Sequence, residues 1–184
     1  MKYVHRIKKY IVALAAVLAL LQTGCTPVAD ADMLAYQRSA AHAEVKGCFG
    51  DTEFGALIEL SAMPSDGSPR DVRAVRAVRV EYTSPSGLEG IAVMRTAGKE
   101  LLTYSDLELP GDVFAEMLAP ADAFSLTGTV LSAETVKSGG GTYTVIRLDD
   151  GAEVTIDSAG GHPVSIVTCD GMRLEVIWYE ADER

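Results

Sequence analysis

Signatures of chemistry are what this sequence lacks first. It has no Gly-x-Ser-x-Gly elbow, no Gly-rich phosphate loop ending in Lys-Ser or Lys-Thr, and no Cys-x-x-Cys pair, which removes the usual hydrolase, nucleotide and dithiol patterns. Histidine is scarce: His5, His42 and His162 stand apart, without a second His or Cys at ligand spacing. A metal centre and a cofactor site are therefore not expected. Long apolar runs are missing too. The longest, residues 10–21, has twelve residues, where a membrane-spanning helix needs about 20. Positive charge is thin beyond the N-terminus. All 26 acidic residues lie after residue 24, where 12 Lys and Arg remain, for a net charge of −14. A body this acidic repels nucleic acid and anionic headgroups, so no nucleic-acid partner is expected.

What is there begins at the N-terminus. Lys2, Arg6, Lys8 and Lys9 precede the apolar run YIVALAAVLALL, and small residues follow it. A basic start, a short apolar stretch and a small-residue cut site make a secretory signal peptide over residues 1–24. The run ends in Leu21-Gln22-Thr23-Gly24-Cys25. This resembles the lipobox of bacterial lipoproteins, with Gln22 at the place usually held by Leu. The resemblance implies cleavage before Cys25 and acylation of its thiol and new amino group. Two or more acyl chains hold a protein stably on a membrane where one is marginal. Residues 25–31 then read as lipidated Cys and tether, and 32–184 as a single domain. An extracytoplasmic, lipid-anchored location follows, with the membrane as partner through Cys25.

Two other cysteines remain, Cys48 and Cys169. Export permits a disulfide between them. It would close a loop of about 120 residues and stabilise by about 4–5 kcal/mol in the chain-entropy model. Two free thiols are the alternative.

The period of the apolar residues sets the fold class. Residues 32–43 suggest a helix, with Asp32 as cap and Met33, Tyr36 and Ala40 on one face. From Glu44 the period becomes two. EFGALIEL puts Phe54, Ala56, Ile58 and Leu60 on one face of a strand. Residues 63–70 form a loop, rich in Pro, Ser, Asp and Gly. Residues 72–80 read VRA-VRA-VRV, which is either a local duplication at a strand entrance or a basic docking patch made by Arg73, Arg76 and Arg79. Residues 91–96 and 100–107 make a hairpin. A short helix over 113–119 follows, with Pro120 expected to end it. Strands are expected at 124–135, 142–149, 152–157, 164–169 and 172–180, with Asp150-Gly151 a hairpin turn. In the last strand the alternation puts Met172, Leu174, Val176 and Trp178 inside. The acidic stretches offer no site. The turn explains Asp149-Asp150-Gly151 without calcium, and Asp106 and Glu108 read as strand-end acids.

The expected class is α+β and mostly antiparallel β: a curved meander sheet, or half-barrel, with an N-terminal helix and a short mid-chain helix. This order of elements, with the run TYTVIRLDDGAEVTIDSAGGHPVSI, resembles the LolA-like fold of bacterial lipoprotein-localisation factors and related lipoproteins. The resemblance covers residues 33–179. It implies a non-catalytic protein whose curved sheet has a helix-covered apolar face. Two functions remain open. In one, a cavity on that face holds a lipid-like or acyl-chain ligand, with helix 113–119 as lid. In the other, the core is filled and the protein is a structural or regulatory lipoprotein acting through a protein partner.

Overall fold

The structure, a computed structural model, describes residues 33–62, 76–97, 99–111 and 114–182. The expected signal 1–24, Cys25 and its tether, Asp32, the loop 63–70, Arg73 and Val113 lie outside the described residues. Strands β1 (Ala41–Phe49), β2 (Thr52–Leu60), β3 (Val78–Ser84), β4 (Ile91–Thr96), β5 (Lys99–Tyr104) and β6 (Leu107–Pro110) form one meander. Strands β7 (Val130–Ser138), β8 (Gly141–Leu148), β9 (Glu153–Asp157), β10 (Pro163–Val167) and β11 (Arg173–Ala181) form a second. The first and last strands pair, so one open, curved antiparallel sheet runs β6-β5-β4-β3-β2-β1-β11-β10-β9-β8-β7. This is the α+β half-barrel class expected from the sequence.

Alternation builds the centre. In β1, Ala41, Ala43 and Val45 are buried while His42, Glu44 and Lys46 are exposed. In β2, Phe54, Ala56, Ile58 and Leu60 are buried against exposed Leu57 and Glu59. Gly47 makes room for this packing, because a Cβ there would collide with Phe54 and Leu174. Residues 114–126 lie over the buried face and pack on β2, β3 and β4. They consist of a 3-10 turn, Ala115–Leu118, running into one helical turn, α1 (Ala119–Asp122).

Several expectations need correction. The N-terminal helix over 32–43 is only a 3-10 turn, Ala35–Arg38. Ala41 to Ala43 already belong to β1, because paired strands on both sides satisfy their backbone, which a lone short helix could not match. His42 is therefore on a strand. Pro120 does not end the mid-chain helix but sits in the first turn of α1, where its missing N–H costs nothing. Residues 124–129 are not strand; they carry the chain off the cap into β7. The segment 100–107 breaks at Ser105-Asp106, where Ser105 has φ of 53°, and β6 follows.

The last strand is the clearest case. Glu44 pairs with Trp178 but Val45 pairs with Val176, leaving Ile177 as an extra residue in β11. Such a bulge resets which side chains face inward. Trp178 is 48% exposed instead of buried. Tyr179 takes the inward place, stacked on Phe124 at 6.5 Å and on His162 at 5.7 Å.

Candidate functional site

The cap over the sheet is held by both packing and polar contacts. Leu118, Ala121 and Phe124 are fully buried beneath it. The Tyr82 hydroxyl donates to the Met117 carbonyl at 2.9 Å, and burial pushes the Tyr82 phenol up to about 12. Arg95 grips Asp122 with both terminal nitrogens, Nη1 reaching Oδ2 at 3.2 Å. Two-point contact of this kind fixes orientation as well as distance.

Arg76 provides the third clamp, and it is 2% exposed. Its Nε donates to the Ser61 carbonyl at 2.8 Å, Nη2 to the Ser39 carbonyl at 2.7 Å and Nη1 to Ser125 Oγ at 3.3 Å. One guanidinium thus ties the N-terminal turn, the end of β2 and the end of the cap. Burial lowers its pKa, and the nearby Tyr179 and Tyr36 phenols oppose that shift. Buried in this way, Arg76 cannot belong to the basic docking patch that is one of the two readings of the repeat. Arg79 stays on the outer face between Glu59 at 3.2 Å and Glu81 at 2.5 Å. Arg79 thus lies on the wet face of β3, and Arg76, just before that strand, is buried.

Three hollows stand out around the sheet, and none of them is an enclosed chamber. One, of about 650 Å³, lies at the end of β1 and β2. Its wall carries Lys46 and Arg173 together with Glu53 and Glu175, so its charges answer one another. A second, of about 420 Å³, opens beside His42, Arg79 and Asp182. The third, of about 350 Å³, is a groove between the cap and the turns that join β8 to β9 and β10 to β11. Ala115, Ala119 and Ala123 line its cap wall at a spacing of four, with Leu126, Ala152 and Met172 completing an apolar floor. Its charged lining residues are Glu116, Asp122, Asp150 and Asp170, all acidic. The sequence held the four-residue spacing of alanines, but Pro120 within it was read as a stop and hid the pattern.

The remaining candidates are scattered. Cys48 is half-buried and Cys169 exposed, and both are free thiols; the candidate disulfide is not made, since one sits at the end of β1 and the other in the β10–β11 turn. Asp149 and Asp150 spend an oxygen each on the turn, accepting from Thr129 N at 2.8 Å and Ala152 N at 2.9 Å. Asp106 and Glu108 are exposed at the β6 edge. Among the described residues no three His, Cys, Asp or Glu are placed to hold a metal, and no helix is long and apolar enough to cross a membrane.

No family model matches the sequence, and no curated protein matches it significantly. Solved structures do resemble the chain. An uncharacterized conserved protein from Thermus thermophilus is 17% identical, with 83% of this chain and 85% of that chain covered and a TM-score of 0.47. A chain of the Pseudomonas aeruginosa MucA/MucB complex is 14% identical over 84% of this chain and 58% of that chain, with a TM-score of 0.45. A LolA superfamily protein from Nitrosomonas europaea is 9% identical over 85% of this chain and 95% of that chain, with a TM-score of 0.36. A LolA-like structure thus stands among those the chain resembles, as its order of elements led us to expect.

Proposed function

We propose that this chain is an exported, non-catalytic lipoprotein, anchored by acyl chains on Cys25, that works by binding a protein partner at the membrane surface. One observation carries the choice between the two open functions. The part of the sheet face beneath the cap, where an acyl chain would be enclosed, is already filled. Val45, Ile58, Val80, Val93, Ile146, Val154 and Ile166 have almost no exposed surface, and the cap's Leu118 and Phe124 have none. Side chains with so little surface left to water leave no room beside them for a guest. The three hollows described above are open to water, and recognition there is recognition at a surface.

The lipid-binding reading keeps one specific support. The cap is tied to the sheet by the side chains of Tyr82, Arg95 and Arg76, and release of these ties would bare the apolar face. Organic extraction of the purified full chain separates the two readings. Covalent lipid on Cys25 stays with the protein, whereas a carried ligand leaves it. The expected result is covalent acyl mass, lost in Cys25→Ser, and no stoichiometric free lipid. Photo-crosslinkers placed over the surface in cells are expected to give a discrete protein adduct. Stoichiometric extractable lipid without any adduct would restore the carrier reading.

A further inference from the structure

The groove beside the cap has a chemistry that selects its occupant. Its floor is apolar and its cap wall is built from alanines four residues apart, Ala115, Ala119 and Ala123. Small side chains let another backbone come close. Its rim is acidic on both sides: Glu116 and Asp122 on the cap, Asp150 and Asp170 on the facing turns. Asp122 is matched by Arg95. The other three have no cation matched to them in the described residues. Asp150 accepts from Ala152 N, and Asp170 accepts from the Thr168 hydroxyl. Those bonds orient the carboxylates without neutralising them. A fatty acid or an anionic headgroup would meet like charge here, and desolvating unpaired carboxylates against a neutral lipid is unfavourable.

We infer that this groove docks an extended segment of a protein partner in which an apolar side chain is flanked by Lys or Arg. The inference rests on the reading that the protein acts through a partner. The apolar side chain fills the floor over Ala119 and Ala123, and the flanking cations reach Glu116 on one side and Asp150 or Asp170 on the other. The strongly negative body steers such a segment toward the groove, and salt weakens the encounter.

The test uses the full chain in a neutral detergent and two labelled synthetic peptides, one with leucines flanked by lysines, the other with glutamates in place of the lysines. Fluorescence anisotropy is expected to show saturable binding of the lysine peptide alone, weakening between about 0.05 M and 0.5 M salt as charges are screened. The combination Glu116→Gln, Asp150→Asn and Asp170→Asn is expected to weaken it about ten-fold, the sum of three modest surface charge contacts. Ala119→Leu fills the groove without changing charge and is expected to weaken it comparably. Glu116→Lys, at an exposed position, gives the same direction should the triple variant fail to fold. Equal binding of both peptides overturns the proposal, and so does Ala119→Leu binding like the parent, since attraction to the acidic body would then suffice. If the peptides fail while crosslinkers elsewhere on the surface still yield a discrete adduct, the groove is wrong and the partner reading stands.

Discussion

The inner strands of the sheet and its β7 edge share one antiparallel plan and meet water very differently. In β1 to β3 one face is buried, from Ala41 to Val45, from Phe54 to Leu60 and from Val78 to Tyr82. In β7 no residue is buried, and Leu131 is 69% exposed. The cap packs on β2, β3 and β4 and does not extend over β7. Local sequence accounts for part of the contrast, since β7 carries Ser132, Glu134 and Ser138 on one face and Thr135 and Lys137 on the other. Its place in the sheet differs too, since β7 is an edge strand beside β8 alone, and so does the layer above. A strand is as buried as the element that covers it, and a short cap cannot cover the whole of so wide a sheet.

The sharpest way to break the comparison is in the cap. Phe124→Ala removes a fully buried ring that stacks on Tyr179, and a loss of about 3–5 kcal/mol is expected in urea unfolding. Leu131→Ala on β7 should change the same measurement by no more than about 0.5 kcal/mol. Similar losses at the two positions would mean that β7 is covered in solution. The two arginines of the repeat come next. Arg76→Ala strips donors from two carbonyls and Ser125, and about 3 kcal/mol is expected from lost bonds to a charged group. Arg79→Ala, on the wet side, is expected to cost under about 1 kcal/mol.

Alkaline titration tests the buried side in another way. The Tyr82 phenol is raised to about 12 in the folded protein, against about 10 in an unfolded chain. The folded state holds the proton more tightly, so this stability is complete below pH about 10 and falls as the pH rises toward 12. Melting temperature is expected to drop across that window, and Tyr82→Phe to make the drop shallower. An unchanged slope in the variant would place the titration elsewhere. The smallest effect concerns the single tryptophan. Trp178→Phe is expected to leave stability within about 0.5 kcal/mol, and native emission should be red-shifted and open to iodide. A blue-shifted, protected emission would show that the bulge does not turn this residue outward.

Much of the fold was legible because two signals agree along most of the chain. EFGALIEL alternates and ends where the strand ends, and Asp150-Gly151 turns with Gly151 at φ of 89°. Pro120 and Ser105 mislead for local reasons, but the larger failures depend on a neighbour far away in sequence. Trp178 follows an alternation that stops at Glu175, within the apolar run Val176-Ile177-Trp178-Tyr179, and one extra residue relative to β1 turns it outward. Ala41 to Ala43 look helical until two strands flank them. Arg76 and Arg79 belong to one repeat, and their offset of three puts them on opposite faces, but which face is buried depends on Ser39, Ser61 and Ser125. The groove was less legible still. Its alanines are unremarkable alone, and its acids come from separate turns and the cap.

The pairing of β1 with β11 carries a consequence for time. The centre of the sheet joins the earliest strand of the domain to its latest, with Ala41 opposite Ala181 and Cys48 opposite Arg173. The hairpins of each arm are local and can form early, but contacts this distant in the chain are slow to close. A polypeptide emerging from its N-terminus owns two half-sheets and no middle until β11 arrives. Completion is therefore a single late event, and loss of the last strand should part the molecule down its centre where loss of β6 would only trim an edge.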